Sequence, residues 1–293
     1  MKHEIFRGVC TALVTPFRGG ALDTDTLALL IETQIEAGVA AICVCGTTGE
    51  AATLAEHEWC RVVETATETV SGRLPVIVGV GTPSTETSCR RSRFARAAGA
   101  DALLAVTPYY NRGTEEGLVR HFHAIAEMGE LPVVVYNVPS RAGRDLTVSL
   151  YRRLAAHPGI TAVKEAGGGY ERLYPLIAEL GDRLSVYTGN DSGILPAIAL
   201  GCSGVISVIS NILPRETVEL AAAALDGRLE EARRLQYRWM PLIDALFAET
   251  NPAPVKCALA LAGMASEELR LPLAPVSPAL RERIAFLLGL PML

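Results

Sequence analysis

Short apolar runs rich in β-branched residues recur along the first four-fifths of the chain. They are Val9–Val14, Ala40–Cys45, Val76–Gly79, Ala102–Val106, Val133–Tyr136, Thr161–Val163, Leu184–Tyr187 and Gly204–Val208. Between them lie segments whose apolar residues return at helical spacing, such as Thr24–Ala37, Ala55–Val70, Ser84–Ala98, Glu115–Glu127 and Val148–Ala156. Strands that are apolar on both faces suit a parallel sheet covered by helices. Eight such units predict a closed (β/α)₈ barrel rather than an open doubly wound sheet. The open sheet would need a glycine-rich phosphate turn after its first strand. Here Val9–Val14 runs into Thr15-Pro16-Phe17, and Gly79-Val80-Gly81 lacks a third glycine. From about Leu229 the pattern is helical only: Leu229–Phe247, Ala253–Ala262 and Ser277–Leu288, with proline-containing joints at Asn251-Pro252 and Leu271–Pro278. We therefore expect a catalytic barrel over residues 1–228 and a C-terminal helical subdomain over residues 229–293.

Composition narrows the function classes. The chain has 293 residues, 49% hydrophobic and 20% charged, within the range of a soluble globular protein. Its net charge of −5, with no basic tract interleaved with aromatics, argues against a nucleic-acid partner. Arg90, Arg91, Arg93 and Arg96 read as the solvated face of a helix. The seven cysteines are odd in number and irregularly spaced, which points away from a disulfide framework and towards a reducing compartment. Cys43 and Cys45, two apart in a strand-like run, could share one face. No second ligand pair accompanies them, and with Cys202 they read as buried thiols. The five histidines have no metal-binding spacing, so neither a metal nor a cofactor is expected. Ile194–Pro214 carries no charge and is long enough to span a membrane. Its Pro196, Gly201, Gly204 and Asn211 split it into helix, turn and strand, so a membrane association is not expected. Residues 1–4 lack the apolar core of a signal peptide, and the expected location is cytoplasmic.

The chemistry concentrates where strands end. Lys164 closes the apolar segment that begins at Ile160, and lysine is rarely buried without a partner or a task. Desolvation favours the neutral amine, which can attack a carbonyl. The plain alternative is a buried stem whose head pairs with Glu165. In a barrel, active sites gather at the carboxyl ends of the strands. There the second strand supplies Gly46-Thr47-Thr48-Gly49-Glu50, the fourth Thr107-Pro108-Tyr109-Tyr110-Asn111, and the fifth Tyr136-Asn137-Val138-Pro139-Ser140-Arg141. The seventh supplies Thr188-Gly189-Asn190-Asp191, and the eighth carries Ile206 and Ser207. Taken alone, the second-strand loop could equally start a helix capped by Thr48. Taken together, hydroxyl, phenol, guanidinium and amine describe a site that processes carbonyls. Lys164 would form an imine with a 2-oxo acid, Tyr136 would act as general acid and base, and Thr47 would relay the proton. Thr48 would hold the oxo acid's carboxylate, and Arg141 a second substrate's carboxylate. Gly189 would leave room beside the ligand, and Ile206 would wall the same pocket.

These four motifs, in this order over nearly the whole chain, resemble the class I, Schiff-base-forming pyruvate aldolase superfamily of dihydrodipicolinate synthase and N-acetylneuraminate lyase. Tyr109-Tyr110-Asn111, Arg141 and Asn251-Pro252-Ala253-Pro254-Val255-Lys256 look most like its dihydrodipicolinate synthase branch. That resemblance implies condensation of pyruvate with L-aspartate 4-semialdehyde, in lysine and diaminopimelate synthesis. It implies Lys164 as the Schiff-base residue and Thr47, Tyr136 and Tyr110 as a proton relay. Tyr110 would reach in from a neighbouring subunit, giving a homotetramer built as a dimer of dimers. The chain departs from the branch in having Ala142 where threonine is frequent. Around the position of lysine feedback it has Ala51, Glu56, Trp59, Pro83 and Thr87, so inhibition by lysine is expected to be weak or absent. A sibling aldolase or dehydratase acting on a sugar acid, and a non-catalytic barrel that binds a keto acid, remain the alternatives.

Overall fold

Eight parallel strands close into a barrel in a computed structural model, which describes residues 4–290. They are β1 (Gly8–Ala12), β2 (Ala41–Val44), β3 (Val76–Gly79), β4 (Ala102–Val106), β5 (Val133–Asn137), β6 (Ile160–Glu165), β7 (Ser185–Thr188) and β8 (Gly204–Ser207). Each pairs with the next in sequence, and β8 returns to β1. Helices α1 (Thr24–Glu36), α2 (Glu56–Val70), α3 (Thr85–Ala97) and α4 (Glu115–Gly129) cover the first half. The second half carries α5 (Pro139–Ala142), α6 (Val148–Leu154), α7 (Leu173–Leu180), α8 (Ile194–Ala199) and α9 (Pro214–Leu225). Three further helices follow: α10 (Leu229–Leu246), α11 (Ala253–Leu261) and α12 (Pro278–Leu287).

Alternation along the strands sorts the core into two layers, because successive side chains of a strand point to opposite faces. Val134, Tyr136, Ala162, Tyr187 and Ile206 belong to an inner cluster inside the barrel. Val133, Val135, Val163, Val186 and Val205 belong to the cluster between barrel and helices. Phe6 stacks on Tyr187 with ring centroids 4.1 Å apart, and the phenol donates to the Phe6 carbonyl at 2.8 Å. Polar caps set where helices begin. The side chains of Asp23, Ser84, Thr114, Thr147 and Ser277 each accept from the amide three residues on. Each such cap contributes about 1 kcal/mol.

Two details differ from the sequence reading. Arg91 is not part of a solvated face: it is buried, its guanidinium 5.0 Å from the Trp59 ring centre and bonded to Glu56. Planar guanidinium stacks well on an indole, which lets the residue turn inward. Cys43 and Cys45 do not share a face. Cys43 lies in the inner cluster, whereas β2 ends at Val44 and a left-handed φ of 55° swings Cys45 into the outer one. As expected, the uncharged stretch divides into α8, β8 and a turn of 3₁₀ helix at Ile209–Asn211. Among the described residues no helix is long and apolar enough to cross a membrane.

One buried group makes stability depend on pH. His121 on α4 is 5% exposed, its Nδ1 lies 2.9 Å from the Thr85 hydroxyl, and its Nε2 has no partner. Burial lowers its pKa from 6.5 to about 4. The unfolded chain therefore binds the proton first as pH falls, so the contribution of His121 to stability is full above about pH 6.5 and declines towards pH 4. At 1.36 kcal/mol per unit the loss is about 3 kcal/mol. Denaturant titrations across this window should show that slope, and His121→Phe should flatten it.

Candidate active site

The carboxyl ends of β5 and β6 bring the central pair together. Tyr136 and Lys164 are register partners on these neighbouring strands, and both point inward. Lys164 is 6% exposed, and its Nζ lies 4.4 Å from the centre of the Tyr136 ring. The Tyr136 carbonyl accepts from both the amide and the hydroxyl of Thr107, which fixes the end of β5 against β4. The expected alternative partner of Lys164 is turned away. The Glu165 carboxylate, one residue on and therefore on the outer face, accepts from Asn137 Nδ2, the Tyr151 hydroxyl and the Gly167 amide, and lies 3.7 Å from Arg172 Nε. Burial raises the Glu165 carboxyl above the usual range, opposed by these donors.

A cavity of about 340 Å³ opens above the pair, a size suited to a small metabolite. Thr47, Tyr109, Tyr136, Arg141 and Asn251 line it. Lys164 is not itself a wall residue; its amine lies against the ring of Tyr136, which is. The Thr48 hydroxyl is buried and accepts from Asn251 Nδ2 at 3.0 Å. The guanidinium of Arg141 donates to the Asn251 carbonyl at 3.1 Å and otherwise faces open space. Ile206 is fully buried in the inner cluster rather than on the cavity wall. Gly189 packs against the lysine: a Cβ there would stand 2.9 Å from both Lys164 Cε and Ala166 Cβ, so only glycine leaves the amine its path. Tyr110 is not brought to the cavity. A left-handed φ of 69° turns it outward, 95% exposed.

The chain has three lysines, Lys2, Lys164 and Lys256, and the two within the described residues are both buried. Beside Lys164 the Cys43 thiol is pushed up to about 11 by burial, opposed by the lysine's charge. Cys43 thus stays protonated at neutral pH and does not compete as a nucleophile. Among the described residues no cluster of side chains could hold a metal ion.

The whole-chain comparisons agree with this geometry. A sequence profile of the dihydrodipicolinate synthetase family matches residues 5–289. The chain belongs to that family. The 4-hydroxy-tetrahydrodipicolinate synthase of Pelobacter propionicus is 48% identical over 277 residues, covering 94% of this chain and 96% of its own. The crystal structure of dihydrodipicolinate synthase from Thermotoga maritima superimposes with a TM-score of 0.95 at 42% identity, covering 98% of each chain. A dihydrodipicolinate synthase variant described as monomeric superimposes with a TM-score of 0.95 at 42% identity, covering 97% of this chain and 96% of its own.

In this member of the dihydrodipicolinate synthetase family two further residues bear on the site, to which the sequence alone assigns no role. Asn251 forms part of the wall and binds Thr48 and Arg141 at once. Asp191 is buried, with Oδ2 accepting from the amides of Val208 and Ile209. Burial raises its carboxyl, opposed by these donors, the Ser207 hydroxyl and the charge of Lys164. Both stand in segments singled out along the chain, Thr188-Gly189-Asn190-Asp191 and Asn251-Pro252-Ala253-Pro254-Val255-Lys256, but nothing local to either marks it as a residue of the site.

Proposed function

We propose that this chain condenses pyruvate with L-aspartate 4-semialdehyde to give 4-hydroxy-tetrahydrodipicolinate, the lyase step of lysine and diaminopimelate synthesis. The observation that carries this reading is the buried amine of Lys164, 4.4 Å from the Tyr136 ring on the adjoining strand and next to a cavity of metabolite size. The amine adds to the C2 carbonyl of pyruvate, and loss of water leaves an imine. Protonation of the imine makes it an electron sink, so a C3 proton passes to Tyr136 and an enamine forms. Thr47, on the same cavity, relays that proton. The enamine carbon attacks the aldehyde, whose oxygen takes a proton and becomes the 4-hydroxyl. The amino group of the semialdehyde then attacks the imine carbon, closing the ring and releasing Lys164.

Arg141 binds the second substrate's carboxylate with the part of its fork that Asn251 leaves open. Thr48 and neighbouring amides hold the pyruvate carboxylate, Gly189 gives the imine clearance, and Ile206 supports the barrel interior beneath it. Tyr110 completes the relay across a subunit boundary in a homotetramer, the enzyme acts in the cytoplasm, and residues 229–293 form a helical subdomain that supports the barrel. The 95% exposure of Tyr110 supports the first of these readings.

Borohydride reduction with pyruvate, followed by peptide mapping, tests the imine; no adduct on Lys164 overturns the reading. A coupled assay with the semialdehyde against a panel of sugar acids tests the second substrate. Glu56 is engaged by Arg90 and Arg91, and Trp59 is fully buried with its indole bonded to the Gly79 carbonyl. Steady-state rates are accordingly expected to be insensitive to lysine. Strong inhibition at sub-millimolar lysine would contradict this.

A further inference from the structure

The loop that carries Thr47 is held by a buried ion pair from the far end of the chain. Lys256 on α11 is 0% exposed and Glu50 4%, and they meet with Nζ 2.5 Å from Oε1 across 206 residues of sequence. Lys256 also donates to the Glu268 carbonyl at 2.7 Å and sits 4.3 Å from the centre of the Phe17 ring. The second Glu50 oxygen accepts from the Arg270 amide at 3.1 Å. Glu50 is one turn from the proton relay. Its own amide donates to the Thr47 carbonyl, and its φ of 52° closes that turn. The residues between are pinned as well: Asn251 Nδ2 donates to the Thr48 hydroxyl, and the Thr15 hydroxyl donates to the Gly49 carbonyl. Three consecutive residues, Thr48, Gly49 and Glu50, are thus tied to Asn251, Thr15 and Lys256, while Thr47 is left facing the cavity.

Stability alone does not account for such a pair. Two charges lose hydration on burial, and an apolar pair of the same shape would serve the fold as well or better. What the ion pair adds is direction: a carboxylate with both oxygens engaged has one place to sit. The alignment of a proton relay is sensitive to such placement, since a shift of about 1 Å costs up to about 10²-fold in rate.

We propose that Glu50 and Lys256 are positioning residues that set the Thr47 hydroxyl for proton transfer. This rests on the imine reading of Lys164 given above. The test is the double variant Glu50→Gln, Lys256→Met, which removes both charges and keeps the bulk. Its folding is followed by thermal unfolding, its active fraction by borohydride trapping with pyruvate, and its turnover per trapped site by the coupled assay. The expected result is a folded protein that still traps pyruvate, with kcat per trapped site reduced about 10-fold to 10²-fold and KM for pyruvate within about threefold of wild type. Turnover per trapped site equal to wild type overturns the proposal, whether or not the unfolding midpoint drops, because the pair would then serve the fold alone. Should the double variant fail to fold, Glu50→Asp decides. It keeps both charges and withdraws the carboxylate by one methylene, and an unchanged kcat for it is equally fatal. Absence of any adduct in the wild-type protein would instead refute the imine reading itself.

Discussion

Lys164→Ala is expected to lower kcat by at least about 10⁴-fold and to abolish the borohydride-trapped pyruvate adduct, the pattern for loss of a covalent nucleophile. No other described lysine can take over. Lys256 is the one alternative, and it is fully buried and committed to Glu50 and the Glu268 carbonyl. Folding should survive, because Lys164 is a buried amine whose neighbours Tyr136 and Gly189 stay in place. The unfolding midpoint is therefore expected within a few degrees of wild type, and trapping followed by mass spectrometry reads the adduct directly. Turnover within about tenfold of wild type would remove the imine from the mechanism.

Tyr136→Phe is expected to reduce kcat by about 10²-fold to 10³-fold, the usual range for a general acid or base. The ring remains, so its packing over the Lys164 amine and in the inner cluster is retained, and only the hydroxyl is lost. The imine should still form, more slowly, because the nucleophile is intact. Pre-steady-state trapping against time separates the two effects: adduct forms, and turnover after it falls. A variant with wild-type turnover would move the acid–base role to another wall residue.

The four strand-end motifs were legible because barrel topology converts sequence order into spatial convergence. Once eight units are recognised, Thr47, Tyr136, Arg141 and Lys164 must lie at one mouth, whatever the loops do. Other parts were not legible, for identifiable reasons. The inward turn of Arg91 depends on Trp59 offering an indole face, and no periodicity reveals a stacking partner on the next helix. The separation of Cys43 from Cys45 depends on one left-handed residue at a strand end. The commitment of Thr48 to Asn251 joins positions 203 residues apart.

By itself, then, the sequence determined the barrel and the mouth at which Lys164 and Tyr136 meet. Those follow from alternation and strand order, which are local properties repeated eight times. Only the tertiary structure decided how these groups are held. It turned Glu165 outward into a network with Asn137, Tyr151 and Arg172, leaving Lys164 beside the Tyr136 ring. It sent Tyr110 to the surface. It also brought Lys256 of α11 and Asn251 of the joint before it onto the loop of Thr47. Such contacts join residues about 200 positions apart, and their energy exists only once the chain has closed, which is why no local pattern announces them.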